Sequence, residues 1–202
     1  METDVDETRA RAADRAGPTD ADLIAGARRA PEHFATVFDR HYARIFAYTA
    51  RRLGRDLAED VASETFLVAF SRIASYDTAR AGAAPWLYGI ASNLIARHGR
   101  SEKRRYRALA KLAPDGAITP HEAVAGRLDA ATAKGRLAAA LAKLPRAERD
   151  VLPLVAWAGL SQPEVAAALD VPAGTVRSRL HRARHEMRRA LEDTSLGEGD
   201  LG

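Results

Sequence analysis

Residues 159–184 read GLSQPEVAAALDVPAGTVRSRLHRAR, and few folds accommodate a short helix, a break and then a longer helix with one apolar stripe and one cationic face. Ser161 is placed to cap the first helix, whose Val165, Ala168 and Leu169 fall on one side. Asp170-Val171-Pro172 then breaks it, with Pro172 as the stop. The second helix is predicted to begin near Ala173-Gly174-Thr175. Its Val176, Leu180, Ala183, Met187 and Leu191 recur at the helical period. At about 100° per residue, Ser178, His181, Arg182, His185 and Arg189 point away from that stripe, with Arg177, Arg184 and Arg188 along one flank. This is the layout of a helix-turn-helix that reads duplex DNA. A basic surface helix that only aids solubility is the plainer reading of the same cations. His181 and His185 stand four apart, as a metal pair would. The chain has no cysteine and Glu186 turns to another face, so both histidines are read as polar or phosphate-facing, with no metal and no cofactor expected.

The rest of the chain has a helical period too. From Thr19-Asp20, which can cap a helix through Ala30, the pattern passes to a second helix opened by Pro31, with Phe34, Val37, Phe38, Tyr42, Ile45 and Phe46 at three- and four-residue steps. That helix runs to about Leu53, where Gly54 ends it. Asp56 is expected to cap a third helix through about Ile73, and Asp77 to Ala84 separate it from a fourth starting at Pro85-Trp86. Leu128 to Leu144, a helix opened by Pro145, and the helix-turn-helix make a small four-helix unit. Nowhere do apolar and polar residues alternate over a strand's length, so the predicted fold is all-α: two small helical domains joined by a flexible linker. The expected boundaries are a disordered tail at 1–18, a first domain at 19–108, a linker at 109–127, a second domain at 128–194 and a tail at 195–202.

The 202 residues carry a formal charge of +4, and the cations gather in two distant places, Arg97 to Arg107 and Arg177 to Arg189. Two basic surfaces suggest two contacts with nucleic acid. No apolar run approaches the roughly 20 residues of a membrane span, and the N-terminus lacks a signal peptide's apolar core. A cytoplasmic protein without direct membrane insertion is expected, and the lack of cysteine suits a reducing compartment. No phosphate-binding glycine loop, metal-ligand set or nucleophile elbow occurs, so no enzymatic activity is expected.

The third helix, DLAEDVASETFLVAFSRI, crowds Asp56, Glu59, Asp60 and Glu64 into its first half. Ala58, Ala62, Phe66, Ala69 and Ile73 share one face, and Asp60, Glu64, Leu67, Val68 and Ser71 share the opposite one. Acids near a helix N-terminus suit the dipole, which would explain them without any partner. Leu67 and Val68 beside acids on the non-core face also suit docking to a basic partner. The next segment, PWLYGIASNLIARHGRSEKRR, joins aromatic Trp86 and Tyr88 to Asn93, Arg97, His98 and Arg100. Stacking groups, an amide and cations form a single-strand binding set; the alternative is a core tryptophan followed by a solvated basic end.

Together these segments resemble the extracytoplasmic-function (ECF) sigma factors, the two-domain promoter-recognition subunits of bacterial RNA polymerase. The carriers are DLAEDVASETFLVAF, PWLYGIASNLIARHGR and LPRAERDVLPLVAWAGLSQPEVAAALDVPAGTVRSRLHRAR, and the likeness spans roughly Asp20 to Leu191. The resemblance implies a protein that binds core RNA polymerase and promoter DNA and directs initiation. Asp60 and Glu64, with Leu67 beside them, would dock on the polymerase clamp helices. Asn93 matches a position that reads a flipped minus-10 base, and Tyr76 to Trp86 the loop that holds it, with Arg97 and Arg100 along the strand. Arg177, Ser178, His181 and Arg182 match recognition-helix positions on minus-35 DNA, flanked by Thr175 and Arg184. An anti-sigma factor is a further partner of many members. Ser63 stands where the family often has Gln, Arg97 where Asp is common, and Gly99 interrupts the basic helix. A stand-alone helix-turn-helix regulator is the alternative function.

Overall fold

The computed structural model describes residues 17–79, 82–111 and 134–192. Residues 1–16 of the expected tail at 1–18, most of the linker (112–127), the start of the second domain and of its expected first helix (128–133), its last two residues (193–194) and the tail at 195–202 lie outside the described residues. Among the described residues the structure is helical without strands, in agreement with the helical period. The helices are α1 (Asp20–Ala27), α2 (His33–Leu53), α3 (Arg55–Ser71), a 3-10 turn (Ile73–Ser75), α4 (Ala84–Arg97) and α5 (Gly99–Lys111). A helix over 134–143, α6, is followed by α7 (Arg146–Ala156), α8 (Gln162–Leu169) and α9 (Ala173–Glu192). No described helix is long and apolar enough to cross a membrane.

Local chemistry fixes the starts. Thr19 accepts from the Asp22 amide while the Asp22 carboxylate accepts from the Thr19 amide, and Ser161 and Glu164 repeat the same reciprocal box at α8. Asp56 does not cap α3. Gly54, at φ 97°, ends α2 and opens α3 at once, which puts Asp56 inside the first turn, where its charge still complements the helix dipole. The first helix stops at Ala27 rather than Ala30. The Arg28 side chain beyond it donates to the carbonyls of Ile73, Ala74 and Tyr76, at 3.3, 3.2 and 3.1 Å, tying the end of α1 to the 3-10 turn. Helix α8 ends before Pro172, because Asp170 adopts the left-handed conformation at φ 52°. The basic segment after Trp86 is two helices, since His98 leaves helical geometry and α5 begins at Gly99.

The largest apolar cluster runs through both halves of the chain. Ile24, Val37, Ile45, Val61, Phe66, Leu87 and Ile95 from α1–α4 share it with Val151, Leu154, Leu160, Val165, Val176 and Leu180. A smaller cluster sets Tyr106 of α5 against Ala140, Leu141, Leu144, Ala183 and Met187. Helix α8 lies along α4, so the C-terminal helices are seated on the N-terminal ones.

Candidate nucleic-acid interface

Helix α9 separates its faces as its periodicity dictates. Val176 and Ala183 are 0 % exposed and Leu180 and Met187 are buried, while Arg177, Ser178, His181, Arg182 and Arg184 are exposed and Thr175 is half-buried at the helix start. Ser178 donates to the Thr175 carbonyl at 3.0 Å, and Arg182 pairs with Glu148 of α7 at 2.8 Å. Arg177 and Arg184 have no such anchor among the described residues and line a cleft with Gln162, His181, His185 and Arg188. The result is a cationic ridge backed by a packed core, the arrangement a major-groove helix requires. No cluster of three or more metal-ligating side chains occurs among the described residues.

On α4, Asn93 and Arg97 are exposed, and Arg100 is exposed at the start of α5. Trp86 is half-buried, and Tyr76 is buried with its ring 4.9 Å from Trp86. Arg97 pairs with Glu64 of α3 at 3.2 Å, so α4 and the acidic helix touch. Both side chains are largely solvated, and such a pair contributes little stability.

The acidic helix shows its outer face. Asp60 is exposed, Glu64 half-buried and Leu67 70 % exposed. Phe70 and Phe38 are also exposed in part, Phe38 packing on Phe66 with ring centroids 4.8 Å apart and Phe70 on Phe34 with centroids 5.4 Å apart. These two phenylalanines are missing from the site residues taken from sequence, because their spacing matches that of core residues. The signal that could have found them is the surplus of aromatics on α2 and α3, more than one helix pair can enclose.

Hydropathy alone does not reveal the buried ion cluster that the structure contains. The Arg52 guanidinium donates to Glu102 at 2.5 Å, to Asp150 at 2.6 Å and to the Tyr48 hydroxyl at 2.9 Å. Arg149 donates to the other Glu102 oxygen at 3.1 Å and to the Leu144 carbonyl at 3.1 Å. Burial alone would lower the Arg52 pKa. Tyr48 and the Glu102 and Asp150 carboxylates more than offset this and hold it above the ordinary value.

Helical regions of this kind, one presenting an acidic-apolar face beside a helix with exposed Asn93 and Arg97 and the other a helix-turn-helix, define a sigma-type transcription factor. Residues 37–105 match the family model for Sigma-70 region 2, and residues 134–187 match that for Sigma-70, region 4. The ECF RNA polymerase sigma factor SigW of Bacillus subtilis is 33 % identical over 172 residues, covering 79 % of this chain and 89 % of that protein. SigL of Mycobacterium tuberculosis is 34 % identical over 162 residues, covering 79 % and 89 %. Among solved structures, CnrH in complex with the cytosolic domain of CnrY superposes with a TM-score of 0.60 at 25 % identity, covering 87 % of this chain and 98 % of that one. The chain belongs to the ECF RNA polymerase sigma factors.

Proposed function

We propose that this sigma factor divides its work between two regions, residues 19–108 and 128–194, joined by 109–127. In the first, Asp60, Glu64 and Leu67, with Phe38 and Phe70 beside them, dock on core RNA polymerase. Asn93, Arg97 and Arg100 hold the minus-10 strand, where Trp86 offers a partial stacking face and Tyr76 acts by supporting it. In the second, Arg177, Ser178, His181 and Arg182, with Thr175 and Arg184 at the margins, read minus-35 duplex. The chain supplies recognition and no catalytic step. It works in the cytoplasm. Melting is driven by capture, since unstacking a base costs roughly a few kcal/mol that contacts to the strand must offset.

The observation that carries this reading is the division of α9 into a buried stripe and an exposed cationic ridge, on a chain whose other half bears an acidic-apolar face. Run-off transcription with purified core polymerase and a genomic promoter library tests it. A defined start site above the core-only background is expected, and its absence from every promoter refutes the reading. Tight binding to a pseudo-palindromic duplex without polymerase would instead mark a stand-alone regulator. CnrH was solved with the cytosolic domain of CnrY. A protein inhibitor of that kind is proposed for this chain too, and co-purification from the host tests for it.

A further inference from the structure

Helix α4 starts without a cap of its own. Its N-cap residue, Ala83, has no side-chain oxygen to accept from the free amides of the first turn. The missing carboxylate comes from α1, where Asp20 Oδ2 accepts from the Ala83 amide at 3.2 Å and sets a negative charge at the positive end of the α4 dipole. The same oxygen accepts from His41 Nε2 at 2.7 Å and the other from Arg40 at 3.1 Å, so α2 fixes the carboxylate's orientation. The far end of α1 does the same with the opposite charge. There the Arg28 guanidinium donates to the carbonyls of Ile73, Ala74 and Tyr76, at the end of the 3-10 turn that follows α3. Eight residues at about 1.5 Å each span about 12 Å, so one short helix grips both flanks of the α3–α4 connection. The two grips converge on one aromatic pair. Tyr76, whose carbonyl Arg28 holds, lies ring to ring 4.9 Å from Trp86, in the turn of α4 that Asp20 caps. Leu23, Ile24 and Ala27 bury α1 in the core and the Thr19–Asp22 box caps it, so its own position depends on neither grip.

We propose that α1 is a brace that presents the Tyr76–Trp86 pair to the minus-10 strand, with Asp20 and Arg28 as positioning residues that touch no DNA themselves. Setting the two rings beforehand removes the cost of ordering them from the capture of the strand. The proposal deepens the promoter-recognition reading and rests on it for the ligand, but whether α1 holds the pair can be measured without polymerase or DNA.

Hydrogen exchange in the full chain reads the brace directly. Asp20→Ala is expected to speed exchange of the Ala83 amide by about tenfold or more, and Arg28→Ala that of the Tyr76 amide, the scale of one lost hydrogen bond to a charged group. Holoenzyme assembled with core polymerase then reads function on a promoter taken from the run-off screen. Both variants are expected to slow strand opening, followed by permanganate reactivity of minus-10 thymines, by about tenfold or more. Affinity for core polymerase and for the closed promoter complex should stay within about twofold of the parent. Arg28→Lys keeps the charge without the fork and should recover part of the opening rate. Asp22→Ala removes the α1 capping box and leaves both grips in place, so it controls for stability alone and should open the promoter at the parental rate. Unchanged exchange in both variants overturns the proposal, as does faster exchange with parental opening, or an equal slowing by Asp22→Ala. If the parent chain itself gives no run-off product, the sigma reading falls, and the exchange measurement alone decides whether α1 holds the pair.

Discussion

Replacing Glu102 by Ala would leave two guanidinium groups, Arg52 and Arg149, each at most 2 % exposed, of which Arg52 keeps Asp150 as a partner while Arg149 loses the carboxylate it pairs with. Asp150 is also shared with Arg146 at 3.4 Å. Glu102 accepts one hydrogen bond from each arginine, and a bond to a charged group contributes about 1.5–3 kcal/mol. Two such bonds come to about 3–6 kcal/mol, in line with the roughly 3–5 kcal/mol lost when one partner of a buried pair is removed. Arg149 would keep its bond to the Leu144 carbonyl and lose its carboxylate, while Arg52 would keep its bonds to Asp150 and the Tyr48 hydroxyl. A loss of about 3–5 kcal/mol is therefore expected, a third or more of a typical domain's stability. Urea unfolding followed by far-UV circular dichroism measures it, with Glu102→Gln, which keeps an acceptor oxygen without the charge, falling between parent and Ala. A loss under about 1 kcal/mol, the scale of a solvated surface pair, would refute the buried-cluster account.

Tyr106 has a buried hydroxyl with no hydrogen-bond partner among the described residues, and burial pushes its pKa well up. Tyr106→Phe is thus expected to be as stable as the parent or up to about 1 kcal/mol more so, and a lower thermal midpoint would reveal a bond to that oxygen. Burial alone would raise the Asp20 carboxyl, but hydrogen bonds from His41, the Ala83 amide and Arg40 outweigh it and hold its pKa below the ordinary value. The unfolded chain then binds the extra proton more readily. Stability from this group is present above the ordinary carboxylate pKa and is lost as pH falls through the lower folded value. Amide exchange along α1 should accelerate in that acid window, and Asp20→Asn should flatten the response; an identical acid profile in the variant would exclude Asp20 as the source. Ser161→Ala removes one side of the α8 capping box and is expected to cost about 1 kcal/mol in a thermal or urea midpoint, with no change counting against the cap.

What was legible in the sequence was whatever depends on residues three or four apart. The two faces of α9, the reciprocal boxes at Thr19 and Ser161, and the core stripe Ala58, Ala62, Phe66 and Ala69 of α3 are all of this kind, and the structure has each of them, although α3 ends at Ser71 and Ile73 is buried from the 3-10 turn that follows. The Asp56 cap failed because a positive-φ glycine can end one helix and begin the next, leaving no residue in between to serve as a side-chain cap. Tyr76 and Trp86, read as groups for a strand, lie against each other, one buried and one half-buried, because the turn after α3 folds back onto the start of α4.

The buried ion cluster was hidden for a different reason. Its partners are far apart in sequence, and an arginine is ordinarily assigned to the surface. Yet the period of α2 already put Arg52 inside, since Tyr48 and Thr49 lie three and four residues after Ile45, and Arg52 four and three residues after them, all on the buried face. A cation on that stripe requires carboxylates from elsewhere in the fold, because leaving it unpaired in an apolar core is too costly. The helical period thus outranks hydropathy at this position. Of the nearest acids in sequence, Asp56 is exposed in the first turn of α3, so the partners had to come from helices packed over α2. Glu102 and Asp150 are those partners, one from each half of the chain, so a single buried guanidinium ties together two halves that also share one apolar core.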